Sequence, residues 1–381
     1  MKQKTFVLAP DSFKESLTAK EVCQAIESGL KKVFPDAKYI HVPMADGGEG
    51  TTQSLVDATN GTLHTCEVTG PLGNKVTAYY GILGDNTTAV IEMASASGIH
   101  LVPKEQRNPL ITTTFGTGEL ILASLKHGIK KIILGIGGSA TNDGGAGMAQ
   151  ALGVKFYDKN NQIIAKGGGA LEHLAKIDMS EVNPQLDKVE FIVASDVTNP
   201  LCGEKGASRV FGPQKGATSE MIKQLDDNLQ HYASIIKSQL NKDVATIPGA
   251  GAAGGLGAGL MAFTNSKMEK GIDIVIKYSN LENQLIGADF CFTGEGGIDF
   301  QTKFGKTPYG VAQTAKKHNI PVIALAGMIG ENIEELYPEG INAIFGIIPS
   351  ISKIEDLLAD GFKNIERTSE NIGRLINIAQ I

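Results

Sequence analysis

The sequence contains no tryptophan and only four cysteines, Cys23, Cys66, Cys202 and Cys291, which lie far apart with no C-x-x-C pair. This spacing excludes a disulfide framework and a zinc finger, and it is typical of reduced thiols in the cytoplasm. The seven histidines are also scattered, and neither H-x-H nor H-E-x-x-H occurs. A transition-metal site is therefore not expected.

Long apolar runs are missing as well. The most apolar long stretch, residues 248–263, is interrupted by six glycines and is too short to cross a bilayer. The N-terminal segment reaches Asp11 after one short apolar run, unlike a signal peptide. A net charge of −6 argues against a nucleic-acid partner or an anionic membrane surface. We expect a cytoplasmic protein that binds neither nucleic acid nor membrane.

The composition is that of a globular chain with one unusual excess. With 381 residues, 42% apolar and 20% charged, the chain is long enough for two domains. Its 46 glycines are about 12% of the residues, whereas about 7% is usual. They cluster in loops without a collagen period. Several ligand-binding loops built from the backbone are therefore expected.

Residues 132–153, IILGIGGSATNDGGAGMAQALG, carry the clearest pattern. A short apolar run predicts a buried strand, residues 137–145 predict a glycine-rich loop, and residues 146–152 predict a helix. Such a loop presents free N–H groups and the positive end of the helix dipole to an anion. Ser139 and Thr141 add hydroxyl donors, and Asp143 could hold a metal on phosphates.

One simpler interpretation of this loop is possible. It could be a tight strand-to-helix turn in which Asn142 or Asp143 caps the helix. The loop does not match a Walker A motif, since no Gly-Lys-Ser/Thr follows, and it does not match the dinucleotide fingerprint G-x-G-x-x-G.

The chain order predicts an α/β protein. Both ends alternate strand and helix, which indicates one α/β domain with a parallel sheet, formed jointly by residues 1–68 and 285–381. Residues 69–284 include an antiparallel meander and longer helices, and they predict an inserted α/β domain that contains a mixed sheet.

Five loops share a composition of glycine with small polar or charged residues, directly after a predicted strand. They are residues 11–14, 46–51, 137–145, 196–200 and 293–306. Since open α/β sheets bind ligands at the carboxyl ends of their strands, this set favours a cleft for an anionic, hydroxylated ligand. The simpler alternative is that α/β loops are generally rich in glycine and aspartate.

The polar and charged residues of these five loops are of the kinds that phosphoryl transfer requires. One carboxylate accepts the proton of the attacking hydroxyl, one or two hold Mg²⁺, and backbone N–H, Lys and Arg neutralise charge. Hydride transfer would need a dinucleotide fingerprint, and a hydrolase would need an elbow such as G-x-S-x-G. The sequence contains no G-x-S-x-G, and its G-x-G-x-x-G string at residues 249–254 follows no predicted strand, so neither motif is present in the context it requires.

The motifs resemble the type I glycerate kinase family over nearly the whole chain. The matching segments are DSFK at 11–14, PMADGGEGT at 43–51, IGGSATNDGG at 136–145, ASDVTNPL at 194–201, RVFGPQKGA at 209–217 and the glycine-rich residues 248–259. The resemblance implies ATP-dependent phosphorylation of D-glycerate at the 2-hydroxyl with Mg²⁺, giving 2-phosphoglycerate and ADP. It also implies a Rossmann-like domain with a second domain inserted into it.

Two positions depart from the family pattern. Gly297 follows T-G-E-G, where the family usually has Arg, so the role of that Arg is vacant or passes to Lys303 or Lys306. Glu15 occupies a position where the family often has Gly.

We assign expected roles to individual residues by our own inference within this pattern. Asp196, Asp46 and Lys14 are expected to be catalytic, with Asp196 as general base or metal ligand and Asp46 as its rival. The expected substrate-binding residues are Ser12, Asn199, Arg209, Glu295 and Lys303. The expected nucleotide-binding residues are Gly137, Gly138, Ser139, Thr141, Asn142, Gly254 and Gly255, and the expected metal ligands are Asp46 and Asp143.

Alternatives remain open at this stage. The chain could phosphorylate another small hydroxy acid, or it could be a catalytically weakened regulatory protein that binds such an acid, an idea to which only Gly297 points. An oxidoreductase is disfavoured because the fingerprint is missing. The expected partners are D-glycerate and ATP, and the protein is expected to be a monomer or homodimer.

Overall fold

The fold was analysed in a computed structural model, which describes residues 3–379. Strands lie at Thr5–Leu8 (β1), Lys38–His41 (β2), Thr62–Thr69 (β3), Lys75–Ile82 (β4), Thr88–Glu92 (β5), Lys131–Gly135 (β6), Lys155–Tyr157 (β7), Lys176–Asp178 (β8), Glu190–Ala194 (β9), Ser266–Glu269 (β10), Phe290–Ile298 (β11), Val322–Ile329 (β12) and Ile341–Gly346 (β13).

The α-helices alternate with these strands in much of the chain. They lie at Ala19–Lys31 (α1), Thr51–Thr59 (α2), Ala94–Ser97 (α3), Phe115–Leu125 (α4), Ala146–Ala151 (α5), Ala207–Phe211 (α6), Ser219–Leu240 (α7), Ala252–Phe263 (α8), Gly271–Tyr278 (α9), Leu281–Leu285 (α10), Thr307–Lys317 (α11), Ile354–Ala359 (α12) and Gly361–Ile378 (α13). Single 3₁₀ turns lie at Ile99–Leu101, Lys104–Gln106, Gly168–His173, Leu186–Lys188, Pro213–Lys215, Phe300–Phe304 and Ile333–Leu336. Within residues 3–379, no helix combines the length and the apolar character that a bilayer span requires.

The first compact unit comprises Met1–Asn60 and Lys270–Ile381. Its sheet is parallel, with the strand order β13-β12-β11-β1-β2. The chain moves outward from β1 to β2 on one side and from β11 to β13 on the other, so β1 and β11 meet at a topological switch point. Ligands of open α/β sheets bind outside the carboxyl ends of the strands at such a point.

Helix α1 shows how local sequence and packing agree in this unit. The Thr18 side chain accepts a hydrogen bond from the Glu21 N–H, and a Glu21 carboxylate oxygen accepts one from the Thr18 N–H at 2.8 Å, so the two residues form a capping box. Val22, Ile26 and Leu30 recur at helical spacing and are fully buried against the sheet. The helix is thus fixed both at its N-terminus and along its apolar face.

The second unit, Gly61–Glu269, contains a mixed sheet with the order β10-β9-β6-β5-β4-β3. Strands β10, β9, β6 and β5 are parallel, whereas β4 and β3 continue the sheet antiparallel. The central strands β6 and β9 are almost wholly buried, as their continuous apolar runs predict. The predicted fold class, a parallel α/β sheet with a second mixed-sheet α/β domain, is confirmed.

The limits of the two units differ from those predicted at 68/69 and 284/285. Strand β3 pairs along its length with β4, so it belongs to the second unit and the first limit falls before it. Helix α9 belongs to the first unit, since the Ile272 side chain comes within 2.2 Å of the position that a Cβ on Gly310 of α11 would take. Hydropathy does not reveal such pairing, which explains why the limits shift.

Strand β11 is longer than the sequence predicts. Residues 293–297 were expected to leave the strand as a loop, but Gly294 to Ile298 continue to pair with Leu325 to Ile329 of β12. A Cβ on Gly294 would meet the Leu325 carbonyl oxygen at 2.4 Å, so glycine here permits close strand contact instead of a turn.

Glu15 adopts a left-handed backbone with φ of 63°, a conformation that glycine adopts without steric cost. A left-handed conformation costs a residue with a Cβ about 1–2 kcal/mol, while glycine loses about 0.4–1 kcal/mol through the entropy of the unfolded chain. We predict that Glu15→Gly raises the free energy of unfolding by about 0.5 kcal/mol, measured by urea denaturation. Gln24→Gly, on the exposed face of α1, should lower it by about 1 kcal/mol. Equal losses in both variants would contradict the assignment of strain to Glu15.

Candidate functional site

In the first unit, backbone hydrogen bonds join the segments at the carboxyl ends of three neighbouring strands. The Asp11 N–H donates to the Gly294 carbonyl oxygen at 2.9 Å, and the Met44 N–H donates to the Pro10 carbonyl oxygen at 2.9 Å. The segments after β1 and β2 and the outer half of β11 therefore lie side by side at the switch point. They bring together the carboxylates of Asp11, Asp46 and Glu295, which act on one another electrostatically.

Asp11 is the most enclosed of these carboxylates. Its Oδ1 accepts hydrogen bonds from the Ser12 N–H at 2.6 Å and the Ser12 hydroxyl at 3.2 Å, and its Oδ2 accepts one from the Thr307 hydroxyl at 2.5 Å. Burial raises the pKa of Asp11 to about 6, with a further contribution from Asp46, although these hydrogen bonds oppose the shift.

Glu295 on β11 has a similarly raised pKa. Burial raises the pKa of Glu295 to about 7, and the charges of Asp11 and Asp46 add to that effect. The Lys306 ammonium, 3.7 Å from Oε1, and the Thr302 hydroxyl, at 3.2 Å, oppose it. A carboxyl group with a pKa near the working pH is suited to exchange a proton with a substrate.

The cations expected near this site have different surroundings. Lys14 is exposed and, within residues 3–379, forms no ion pair, so its ammonium is available to an anion. Lys303 is paired with Glu335 and lies 5.2 Å from the Phe304 ring centroid, which places its charge away from Glu295. The expected substrate contact of Lys303 therefore finds no support, and Lys306 is the lysine beside Glu295.

Gly297 leaves room for a side chain. A Cβ at this position would meet only the Met328 methyl carbon, at 3.7 Å, which is ordinary van der Waals distance. An Arg would therefore fit, and the cation that does accompany Glu295 here is Lys306.

Asp46 follows β2 in a glycine-rich turn. Its Oδ1 accepts a hydrogen bond from the Gly48 N–H at 3.0 Å, and a Cβ on Gly48 would come within 3.0 Å of the same oxygen. The glycine thus lets the backbone curl around the carboxylate. In the part of the chain that the structure describes, Oδ2 accepts no hydrogen bond, which leaves it able to bind a ligand.

In the second unit, the loop of residues 136–145 leaves the carboxyl end of β6 next to the loop that leaves β9. Gly135 is opposite Ala194 in the parallel register, so Gly137 and Asp196 emerge at the same edge of the sheet. Gly137 and Gly138 are exposed, and a Cβ on Gly137 would meet no atom within 4 Å. The start of this loop presents open backbone, as an anion site requires.

The second half of the same loop is closed. Thr141 and Asn142 are fully buried, and the Asn142 Nδ2 donates to the Ser208 hydroxyl at 2.9 Å. Their side chains therefore do not reach a ligand, contrary to the expected nucleotide contacts. Ser139 is 7% exposed, and its hydroxyl accepts a hydrogen bond from Lys215 at 2.7 Å.

Asp143 is part of the internal support of the loop. It is fully buried, and its carboxylate accepts hydrogen bonds from the N–H groups of Thr114, Gly145 and Gly147 at 2.8, 3.1 and 3.2 Å and from the Thr114 hydroxyl at 2.9 Å. No oxygen of this carboxylate is open to an ion. The structure contradicts the expectation that Asp143 binds metal, because both carboxylate oxygens already accept hydrogen bonds from neighbouring N–H and hydroxyl groups.

Gly254 and Gly255 also support the loop from within. Both are buried, with φ of 68° and 90°, and the Gly254 carbonyl accepts a hydrogen bond from the Gly144 N–H at 3.0 Å. A Cβ on Gly254 would overlap the Thr141 carbonyl oxygen at 1.9 Å. The expected phosphate contacts of these glycines are not supported, since their lack of a side chain serves close packing.

The remaining expected residues follow β9 or lie on α6. Asp196 is exposed two residues after β9, whereas Asn199 uses its Nδ2 to donate to the Lys205 carbonyl at 2.8 Å. Arg209 forms ion pairs with Glu204 at 3.3 Å and Asp226 at 3.6 Å. Its guanidinium therefore already has carboxylate partners, which weakens the expected contact with a substrate.

Sequence reasoning assigned no role to Asp11, Thr307 or Lys215, and it named Lys306 only as a possible replacement for the Arg that is absent at Gly297. Asp11 and the two lysines were recognisable as polar residues of glycine-rich loops, but the pattern gives no sign of which are enclosed. Only the fold shows that Thr307, at the start of α11, reaches Asp11, and that Lys215 reaches Ser139.

Comparisons with known proteins agree with this geometry. A family model described as "Glycerate kinase family" matches residues 6–377. The chain belongs to the glycerate kinase family.

Relatives of this glycerate kinase family member are similar over almost their whole length. A protein named glycerate kinase from Halalkalibacterium halodurans is 55% identical over 97% of both chains. One named glycerate 2-kinase from Escherichia coli is 53% identical over 98% of both chains. A crystal structure from Salmonella typhimurium, assigned as glycerate kinase 2, matches with a TM-score of 0.92 at 50% identity and covers 99% of both chains.

The role of Gly254 can be tested with a matched pair of glycine variants. Gly254→Ala forces a Cβ into the Thr141 carbonyl oxygen, whereas Gly203→Ala has the same unfavourable positive φ with no atom within 4 Å. We predict that Gly254→Ala lowers the free energy of unfolding by at least about 2 kcal/mol more than Gly203→Ala does, measured by urea denaturation. Equal losses would show that backbone strain alone matters and that the loop is not tightly packed there.

The raised pKa of Glu295 predicts a pH dependence of stability. The pKa of Glu295 is near its ordinary value of 4.5 in the unfolded chain and about 7 in the folded chain, so the native state binds more protons between these values. Its stability contribution is present below pH 4.5 and is lost as the pH rises through 7. At about 1.4 kcal/mol per pKa unit, the loss is about 3 kcal/mol.

We expect Glu295→Gln to remove most of this loss, so that its free energy of unfolding falls less between pH 5 and pH 8 than that of the unmodified protein. Glu355→Gln, on the exposed helix α12, is the control and should follow the unmodified protein. Identical pH profiles for Glu295→Gln and the control would refute the enclosed state of Glu295.

Proposed function

We propose that the protein transfers the γ-phosphoryl group of ATP to the 2-hydroxyl of D-glycerate and releases 2-phosphoglycerate and ADP. The observation that carries this proposal is the open Gly137–Gly138 backbone at the carboxyl end of β6, beside the exposed Asp196 and above a buried lysine. Relatives named glycerate kinase and glycerate 2-kinase, at 55% and 53% identity, support the acceptor and its position.

In this proposal the glycine loop holds the nucleotide phosphates. Gly137 and Gly138 are exposed and have no Cβ, so an anion can approach their backbone closely. Ser139 borders the same opening, whereas the buried Thr141 and Asn142 fix the shape of the loop and do not touch the ligand.

The general base proposed here is Asp196. The hydroxyl oxygen of glycerate attacks the γ-phosphorus, the bond from that phosphorus to the β–γ bridging oxygen breaks, and the hydroxyl proton passes to the Asp196 carboxylate. Strands that pair in a sheet lie about 4.8 Å apart, so Asp196 starts from the strand next to the glycine loop. Asp46, on the first unit, is the rival base.

The substrate carboxylate is proposed to bind in the first unit. Lys14 is exposed without an ion pair in the described part of the chain, and the Ser12 hydroxyl and Lys306 lie with Asp11 and Glu295 at the switch point. Since Lys303, Arg209 and Lys306 are already paired with carboxylates, Lys14 is the better candidate for an anion.

Mg²⁺ is proposed to accompany ATP. Within residues 3–379 no three acidic, histidine or cysteine side chains converge on one point, so a cage made by protein alone is not present. Mg²⁺ is usually held by one or two carboxylates together with substrate phosphates, and the open Oδ2 of Asp46 fits that arrangement. When bound, the ion would neutralise phosphate charge.

A cytoplasmic location and a monomeric or homodimeric state remain predictions.

We predict that Asp196→Asn lowers kcat at least about 100-fold and leaves the thermal midpoint within a few degrees, because general base catalysis contributes about 10²–10⁴-fold. Activity is followed by ADP release, and Asp227→Asn, an exposed aspartate on α7, serves as the matched control. A near-normal kcat for Asp196→Asn combined with a large loss for Asp46→Asn would assign the base to Asp46.

Product identity is tested by proton-coupled phosphorus NMR after incubation with ATP, Mg²⁺ and D-glycerate. A 2-phosphate is coupled to one methine proton and gives a doublet, whereas a 3-phosphate is coupled to a methylene group and gives a triplet. The proposal requires the doublet. A triplet would contradict the assigned position, and glycerate binding without ADP release would indicate a binding protein.

A further inference from the structure

Lys215 is an unusual lysine, because it lies in the interior of the second unit. It ends the 3₁₀ turn Pro213–Lys215 and is only 2% exposed, whereas lysine is rarely buried unless it is paired with a carboxylate. Within residues 3–379 it has no carboxylate partner within ion-pair distance. Its placement therefore needs an explanation other than a salt bridge.

The ammonium group of Lys215 instead contacts the glycine loop from the interior of the unit. Its Nζ donates to the Ser139 hydroxyl at 2.7 Å and to the Thr141 carbonyl oxygen at 2.6 Å. Ser139 directly follows Gly137 and Gly138, so the cation lies one residue from the open backbone. An ammonium in this place holds the loop in shape and sets a positive charge behind the proposed anion site.

The other charged and titratable groups around Lys215 are few. Asp143 on the same loop is the carboxylate whose charge acts on it, and that carboxylate is enclosed by N–H donors. On the other side, Arg107 donates from Nη1 to the Gln214 carbonyl at 3.3 Å, and Tyr232 of α7 lies against Gly144. Burial lowers the pKa of Lys215 to about 7, and Asp143 only partly opposes this.

We propose that Lys215 is a positioning residue of the nucleotide site, which braces the glycine loop and takes up a proton when a polyphosphate anion binds at Gly137–Gly138. This inference rests on the proposed function, because it takes the anion to be the phosphates of ATP. The proton comes from solvent and binds the Nζ lone pair. An anion nearby favours the charged amine, so binding and protonation strengthen each other.

The proposal is tested by isothermal titration calorimetry of ATP and Mg²⁺ into the full-length protein at pH 8. The titration is repeated in buffers of different ionisation enthalpy, since the change in apparent enthalpy gives the number of protons exchanged. At this pH the free nucleotide is fully ionised and contributes no uptake. We expect close to one proton taken up, and an affinity that falls about fivefold to tenfold from pH 7.5 to 8.5.

Two variants assign the proton to Lys215. Lys215→Arg keeps a permanent charge, and Lys215→Met removes the titrating group, so neither should take up a proton. Lys215→Arg should bind more tightly than Lys215→Met, and its affinity should be independent of pH over this range. Undiminished uptake in Lys215→Arg would overturn the assignment.

Should both variants fail to fold, Ser139→Ala provides the decisive measurement. It removes one acceptor of the ammonium, which must lower the pH midpoint of proton uptake if Lys215 is the titrating group. An unchanged midpoint would overturn the inference. ATP binding without proton uptake in the unmodified protein would also overturn it while leaving the proposed function intact, whereas absence of both binding and product would count against the proposed function.

Discussion

The structure of the second unit depends on the burial of polar groups behind the glycine loop of residues 136–145. Lys215 and Asp143 bind the loop from the inside, and the backbone of Gly254 closes the same region. Buried polar groups are costly unless they are satisfied, so these contacts permit few loop conformations. That rigidity leaves Gly137 and Gly138 exposed in a fixed place, which is what a preorganised anion site requires.

The first unit reaches a related result by different means. The order in which the chain adds strands to its parallel sheet reverses between β1 and β11. Backbone hydrogen bonds join the segments after β1 and β2 to the outer half of β11 at that point. The resulting enclosure raises the pKa values of Asp11 and Glu295. The second unit therefore presents open backbone at Gly137 and Gly138, and the first unit presents carboxyl groups whose pKa values lie close to neutrality.

Much of the architecture was accessible from the sequence, because periodicity and turn residues are local signals. The capping box of Thr18 and Glu21, the buried strand β6 and the helix after the glycine loop all follow from patterns within a few residues. The limits of the two units were not accessible, since they depend on the pairing of β3 with β4, which no local pattern encodes.

The site was predictable as a set of loops and not as a set of roles. Glycines at 138 and 254 look alike in the sequence, yet one is open to solvent and the other is pressed against the Thr141 carbonyl. In the sequence, Asp143 has the pattern of a metal ligand and Lys215 that of a surface lysine. In the structure, the Asp143 carboxylate is occupied by hydrogen bonds and Lys215 is buried. Exposure and hydrogen bonding arise from tertiary structure, so composition alone could not separate these residues.

The central claim is that the open backbone at Gly137–Gly138 holds the phosphates of ATP. It is tested most directly by hydrogen–deuterium exchange of the amides in residues 136–139, compared between the free protein and the protein with ATP and Mg²⁺. The account predicts slower exchange at Gly137 and Gly138 with ATP and little change with D-glycerate alone. Unchanged exchange at both glycines under saturating ATP would contradict the claim.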